Sequence, residues 1–130
     1  MPSLRGILET ALYVDDIATS RRFFERVLGL SPARADERFC AYEVSPDQVL
    51  LLFKRGATLQ PIKLPGGTIP PHDGHGPLHM AFTVTPEDMP AWESILEESG
   101  VKIVSRVAWA GGGLSVYFHD PDGNVLEFAT

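Results

Sequence analysis

Apolar and polar residues alternate from 6 to 14, Gly-Ile-Leu-Glu-Thr-Ala-Leu-Tyr-Val, placing Leu8, Leu12 and Val14 on one face of a strand and Glu9, Ala11 and Tyr13 on the other. Asp15-Asp16 breaks that period. A helical stripe of Phe23, Phe24, Val27 and Leu28 follows, with Asp16 suited to cap its start and Gly29 its end. Extended pieces are then predicted over 30 to 35, 39 to 44 and 49 to 53, with Ser45-Pro46-Asp47 as the turn between the last two. The first half therefore reads βαβββ. The next stretch, 54 to 77, is rich in Gly and Pro; Pro65-Gly66-Gly67 and Pro70-Pro71 exclude long regular structure and predict a linker or lid.

The same succession begins again at Pro77. Leu78, Met80, Phe82 and Val84 share one face of a strand, with His79, Ala81 and Thr83 on the other. Thr85-Pro86-Glu87-Asp88 predicts a helix start, Met89, Trp92, Ile95 and Leu96 its buried stripe, and Gly100 its end. Strands are predicted over 102 to 107, 115 to 119 and 124 to 128. The two halves correspond at a nearly constant offset: Glu9 to Val14 lies 70 residues before His79 to Val84, and Gly29 lies 71 before Gly100. Such regularity indicates two copies of one supersecondary unit. Module one spans about residues 5 to 54, the linker about 55 to 76 and module two about 77 to 130, together one α+β domain.

The repeat changes the meaning of Glu127. In Asp120-Pro121-Asp122-Gly123-Asn124-Val125-Leu126-Glu127-Phe128 a tight turn feeds a carboxylate into an apolar strand, and alone that residue reads as an exposed edge position. Its counterpart in the first half is the apolar Leu51. If the helix-facing sides of both sheets take the bulky apolar residues, Glu9, His79 and Glu127 all fall on the opposite faces, which are expected to curve around a shared cavity. Two carboxylates and an imidazole converging there suit a divalent cation with positions left open for substrate.

Composition narrows the function classes. A chain of 130 residues with 44% hydrophobic and 22% charged residues suits one globular domain. A net charge of −6 without a Lys or Arg run argues against a nucleic-acid partner. Cys40 is the single cysteine, so an intramolecular disulfide is impossible and a reducing, cytoplasmic setting is expected. Met1-Pro2-Ser3-Leu4-Arg5 does not open a signal-peptide apolar region, and no stretch reaches membrane-spanning length.

Three segments carry a family resemblance: the first strand with Val14-Asp15-Asp16, Ser20-Arg21-Arg22-Phe23-Phe24 and Val27-Leu28-Gly29-Leu30; the central Leu78-His79-Met80-Ala81-Phe82; and the closing Tyr117-Phe118-His119-Asp120-Pro121-Asp122-Gly123-Asn124-Val125-Leu126-Glu127. Over nearly its whole length the chain resembles the vicinal oxygen chelate superfamily of glyoxalase, bleomycin-resistance and extradiol dioxygenase proteins. The resemblance implies tandem βαβββ modules forming a curved, cup-like sheet with helices outside. Many members bind a divalent metal at four equivalent strand positions, which here fall on Glu9, Leu51 or Phe53, His79 and Glu127.

Two of these depart from the family. The first position is often His and here is Glu9; the second can be Glu in glyoxalases and here is apolar. A two-His, one-carboxylate iron site would lack a His, which disfavours dioxygenase chemistry. Fosfomycin-resistance proteins share a three-ligand arrangement, but no basic cluster in the final segment would hold a phosphonate. The implied site is a metal (Mn, Ni, Zn, Mg or Fe) held by Glu9, His79 and Glu127, stabilising an enolate or oxyanion of a small oxygen-bearing substrate, as in a lyase or isomerase, with either Glu9 or Glu127 as base. Leu51, Phe53, Trp109, Tyr117 and Arg106 are expected to line the substrate space, and a homodimer is expected. The rival expectation is a metal-free sequestering protein of the bleomycin-resistance type, for which Leu51, Phe53, Trp109 and Tyr117 would hold an aromatic ligand. His72-Asp73-Gly74-His75 reads as a solvated loop, with a lid as the alternative.

Overall fold

The computed structural model describes all residues from Met1 to Thr130. The chain divides into two compact units, Met1–His75 and Gly76–Thr130. In the first, β1 (Glu9–Val14) leads into α1 (Ile17–Arg26), followed by β2 (Pro32–Ala35), β3 (Phe39–Ser45) and β4 (Gln48–Lys54). The Asp16 carboxylate accepts from the Thr19 amide at 2.9 Å and so satisfies one donor that a helix start leaves unpaired. At the other end Gly29 adopts φ +69°, allowing the Leu30 amide to reach back to the Phe24 carbonyl at 3.2 Å and close the helix. The sheet order is β1-β4-β3-β2, with β1 parallel to β4 and the rest antiparallel. Leu12, Val14, Cys40, Tyr42, Leu50 and Leu52 are buried on one side together with Ile17, Phe24 and Leu28 of the helix segment.

Part of the first unit departs from the sequence expectation. Residues 1 to 8 lie outside the strand and are exposed, Leu8 by 68%. The Gly/Pro-rich segment contains a short hairpin, β5 (Ile62–Leu64) and β6 (Gly67–Ile69), turned at Pro65-Gly66. Beyond it the segment docks: the His72 amide donates to the Thr58 carbonyl at 3.0 Å, Thr58 Oγ1 donates to the His72 carbonyl, and Asp73 Oδ1 accepts from the Gly56 amide at 3.1 Å.

The second unit repeats the plan with β7 (His79–Thr83), α2 (Met89–Glu98), β8 (Ser105–Ala108), β9 (Leu114–His119) and β10 (Val125–Ala129), in the order β7-β10-β9-β8. The registers confirm the repeat at single-residue level: Leu51 lies opposite Ala11 and Ala41, and Glu127 opposite Ala81 and Tyr117. Leu51 therefore stands in Glu127's place. The helix α2 starts at Met89 rather than in the Thr85-Pro86 stretch, because the Asp88 and Met89 amides both turn back to the Thr85 carbonyl, at 3.1 and 3.2 Å, and close a separate turn first. Pro90 then occupies the first helical turn, where no intrahelical donor is required. Met89 and Leu96 are buried, and Trp92 packs on Phe128 with ring centroids 4.9 Å apart. No helix is long and apolar enough to cross a membrane.

The turn before β10 is built around a buried acid. Asp120 Oδ1 accepts from the Asp122 and Asn124 amides at 3.0 and 2.9 Å, while Oδ2 accepts from Asn124 Nδ2 at 2.9 Å. The Asn124 side-chain oxygen in turn accepts from the Leu78 amide at 2.9 Å, joining the turn to the start of β7. Burial pushes the Asp120 carboxyl above the ordinary aspartate range, against the hydrogen bonds from Asn124 and Asp122 that pull it down. A raised folded-state pKa means that the folded protein takes up a proton while the unfolded chain is still ionised. Stability should therefore gain as pH falls through that window toward about 3.9, the ordinary value, and lose as pH rises through it. Urea unfolding at stepped pH should show the wild type gaining on Asp120→Asn as pH falls; parallel curves would contradict the assignment.

Candidate functional site

The site is built most clearly in the second unit, on the sheet face opposite α2. Registers place His79 and Ala81 of β7, Ser115 and Tyr117 of β9, and Val125 and Glu127 of β10 on that face. Leu126 and Phe128 alternate with them into the core. Glu127 is 8% exposed although it carries a carboxylate, so its oxygens require partners. One comes from β9: Ser115 Oγ donates to Glu127 Oε2 at 2.5 Å. Behind it, Trp109 Nε1 donates to Ser115 Oγ at 2.8 Å.

The other oxygen faces His79. His79 Nδ1 lies 2.7 Å from the Val125 carbonyl, which can only accept, so Nδ1 carries a proton. In the neutral imidazole the Nε2 lone pair is then the group turned toward Glu127 Oε1, 3.4 Å away. Two acceptors facing each other at that distance are complementary to a shared proton or to a cation between them. An imidazole fixed by a backbone carbonyl at its other nitrogen is also how histidine ligands are commonly oriented. The His79 side chain is 54% exposed, leaving this pair open to solutes, and the Tyr117 ring stacks on it with centroids 6.2 Å apart. The donor set fits a divalent metal of the borderline class, and His79 and Glu127 are the residues that could hold it.

Other residues expected at the site are distributed differently. Glu9 opens β1 as His79 opens β7 and pairs with Val49 as His79 pairs with Val125, but it belongs to the first unit. No three His, Cys, Asp or Glu side chains are gathered so that they could hold a metal ion. Arg106 lies opposite Val116, on the helix-facing side of its sheet, where Nη2 and Nε pair with Glu93 Oε2 at 2.9 and 3.1 Å. Strand parity turns its guanidinium to α2, away from the face that carries Glu127. Trp109 lies in the β8–β9 turn, 52% exposed, with its N–H directed to Ser115.

Leu51 and Phe53 occupy the corresponding face of the first unit. Phe53 contacts Tyr13, Phe39 and His72, with ring centroids at 5.9, 5.3 and 4.7 Å, and the Tyr13 hydroxyl meets His72 Nδ1 at 2.7 Å. His72 is thus docked on this aromatic cluster rather than solvated, and a Cβ on Gly74 would fall 2.4 Å from the Tyr13 ring. Sequence reasoning missed Ser115 and this use of Tyr13 and His72. For Ser115 the usable signal was its parity with Tyr117 in β9, which sets a hydroxyl diagonally next to the Glu127 carboxylate.

Residues 6–128 match the family described as Glyoxalase/Bleomycin resistance protein/Dioxygenase superfamily, and the chain belongs to it. Among its relatives, the metallothiol transferase FosB of Bacillus licheniformis is 28% identical over 126 residues, covering 96% of this chain and 75% of that protein. The crystal structure of a lactoylglutathione lyase from Agrobacterium tumefaciens superposes with a TM-score of 0.85 at 27% identity, covering 98% of this chain and 94% of that one. An integron cassette protein of V. cholerae reaches 0.77 at 26% identity, covering 100% and 98%.

Proposed function

We propose that this protein is a divalent-metal-dependent enzyme acting on a small oxygen-bearing organic molecule. The observation that carries this reading is the facing pair of His79 Nε2 and Glu127 Oε1 at 3.4 Å, with each side chain fixed from behind by another hydrogen bond. Glu9 has His79's place in the repeat, at the start of β1 in the first unit. A bound divalent ion would supply Lewis-acid stabilisation to an oxygen anion developing on the substrate. The chain's own groups do the rest: Val125 and Ser115 orient the two ligands, and Tyr117 offers a hydroxyl for a substrate oxygen beside the His79 ring. Glu127 is the base proposed to take the substrate proton. Ala81, opposite Glu127, keeps the neighbouring strand position small. One relative is named a lyase and another a metallothiol transferase, which supports an enzyme, and the reaction proposed is of lyase or isomerase type.

A second reading, a metal-free sequestering protein, is favoured by one observation: Leu51 replaces the carboxylate in the first unit beside the half-buried cluster of Tyr13, Phe39, Phe53 and His72. It predicts tight binding of a planar apolar ligand that does not respond to added metal. A homodimer is also proposed, since Ile62, Leu64 and Ile69 of the β5–β6 hairpin are 42 to 53% exposed and offer apolar surface to a second copy. Metal content of the purified protein separates the enzyme from the sequestering reading: the enzyme should carry stoichiometric divalent metal or take it up when supplied.

A further inference from the structure

The hydrogen bonds behind Glu127 have only one possible direction. An indole N–H donates and never accepts, so Ser115 Oγ must accept from Trp109 Nε1 at 2.8 Å. Its own proton is then left for Glu127 Oε2, 2.5 Å away. This commits one carboxylate oxygen inward and turns the other, Oε1, toward His79 Nε2 at 3.4 Å. We propose that Ser115, itself set by Trp109, is the positioning residue that holds Glu127 ready for a cation, and that the Trp109 indole N–H senses what occupies the site. The functional half of this rests on the reading of His79 and Glu127 as cation ligands; the hydrogen-bond relay does not.

The surroundings suit that role better than simple satisfaction of a buried hydroxyl. The Trp109 ring is 52% exposed, so apolar burial does little to fix it, and its N–H bond to the fully buried Ser115 is what anchors it. The turn carrying Trp109 is closed on itself, with the Trp109 amide donating to the Gly113 carbonyl at 3.1 Å and the Gly112 amide to the Trp109 carbonyl at 3.0 Å. Gly112 and Gly113 take φ +94° and +95°, values open to glycine, which let the turn bring the indole back over β9. Thr130 ties the same turn to the end of β10: its amide donates to the Leu114 carbonyl at 3.0 Å and its hydroxyl accepts from the Leu114 amide at 2.9 Å. Each link is therefore held at both ends, as preorganisation of an acidic ligand requires.

The chain has two tryptophans, Trp92 in α2 and Trp109, so two indole N–H resonances suffice for the test. In metal-free, ¹⁵N-labelled protein, Ser115→Ala and Glu127→Gln should each move the Trp109 resonance, whereas Ser115→Thr should leave it near its wild-type position. Trp92, packed on Phe128, stays fixed throughout and reports an intact fold. Zinc affinity measured by calorimetry should fall roughly 10- to 100-fold in Ser115→Ala, the range for loss of an outer-shell partner, and return in Ser115→Thr. A Trp109 resonance unmoved by Glu127→Gln, or wild-type zinc affinity in a folded Ser115→Ala protein, would overturn the proposal. If the resonances shift as expected and wild type itself binds no zinc, the relay stands and the cation reading of His79 and Glu127 falls.

Discussion

Glu127→Ala should lower affinity for a divalent ion by more than about 100-fold, beyond the range of outer-shell losses, and turnover should fall with it. Of the proposed ligands the carboxylate is the one that the fold shields best: it is 8% exposed, has one oxygen bonded to Ser115, and presents the other to His79. Removing it takes away the oxygen that faces His79 Nε2 at 3.4 Å. His79→Ala should reproduce the loss, and the double variant should lose little beyond either single one, because both residues serve one ion. Calorimetric titration with Mn, Ni or Zn is the measurement. Wild-type affinity in folded Glu127→Ala would show that the ion, if bound, sits elsewhere, while retained binding of an apolar ligand would favour the sequestering reading.

Phe128→Ala should cost about 3 to 5 kcal/mol of stability and lower Tm on the order of 10 °C. Phe128 is 2% exposed and is surrounded by three other rings, with centroids at 4.8 Å to Phe118, 4.9 Å to Trp92 and 6.4 Å to Phe82. Rings on four different elements cannot collapse together to fill the space, so the cavity contribution should be near its upper range. The position matters to the site as well as the core: Phe128 presses β10 against α2 from one face while Glu127 projects from the other. Thermal unfolding followed by circular dichroism should give one large downward shift for Phe128→Ala and a smaller one for Phe128→Leu. A loss below about 1 kcal/mol would mean that the ring cluster is not the support of β10.

Much of the plan was legible because hydrophobic period survives without tertiary information. The change from alternation to a helical stripe and back marks each βαβββ unit, and matching the two halves brings Leu51 into Glu127's place, which the strand registers bear out. Strand parity also puts His79 and Glu127 on one face. What failed depended on interactions that a pattern does not encode. The helix α2 begins late because the Thr85 carbonyl captures two amides in a turn. Arg106 was expected to line the substrate space, and its parity opposite Val116 pairs it with Glu93 on the helix side. Ser115 is a small polar residue in an ordinary strand sequence; its importance lies in a side-chain bond across to β10 and in an indole folded back by a glycine turn. His72 shows the same limit, since its bond with Tyr13 spans 59 residues of chain.

His79 and Glu127 are proposed to face each other because an ion belongs between them. The most direct measurement is elemental analysis of the wild-type protein and Glu127→Ala, produced without a polyhistidine tag or chelator and dialysed against excess Mn, Ni or Zn. The wild type should hold about one divalent ion per site and the variant almost none. Substoichiometric metal in the wild type that none of the three ions raises, or equal metal in both proteins, would contradict it.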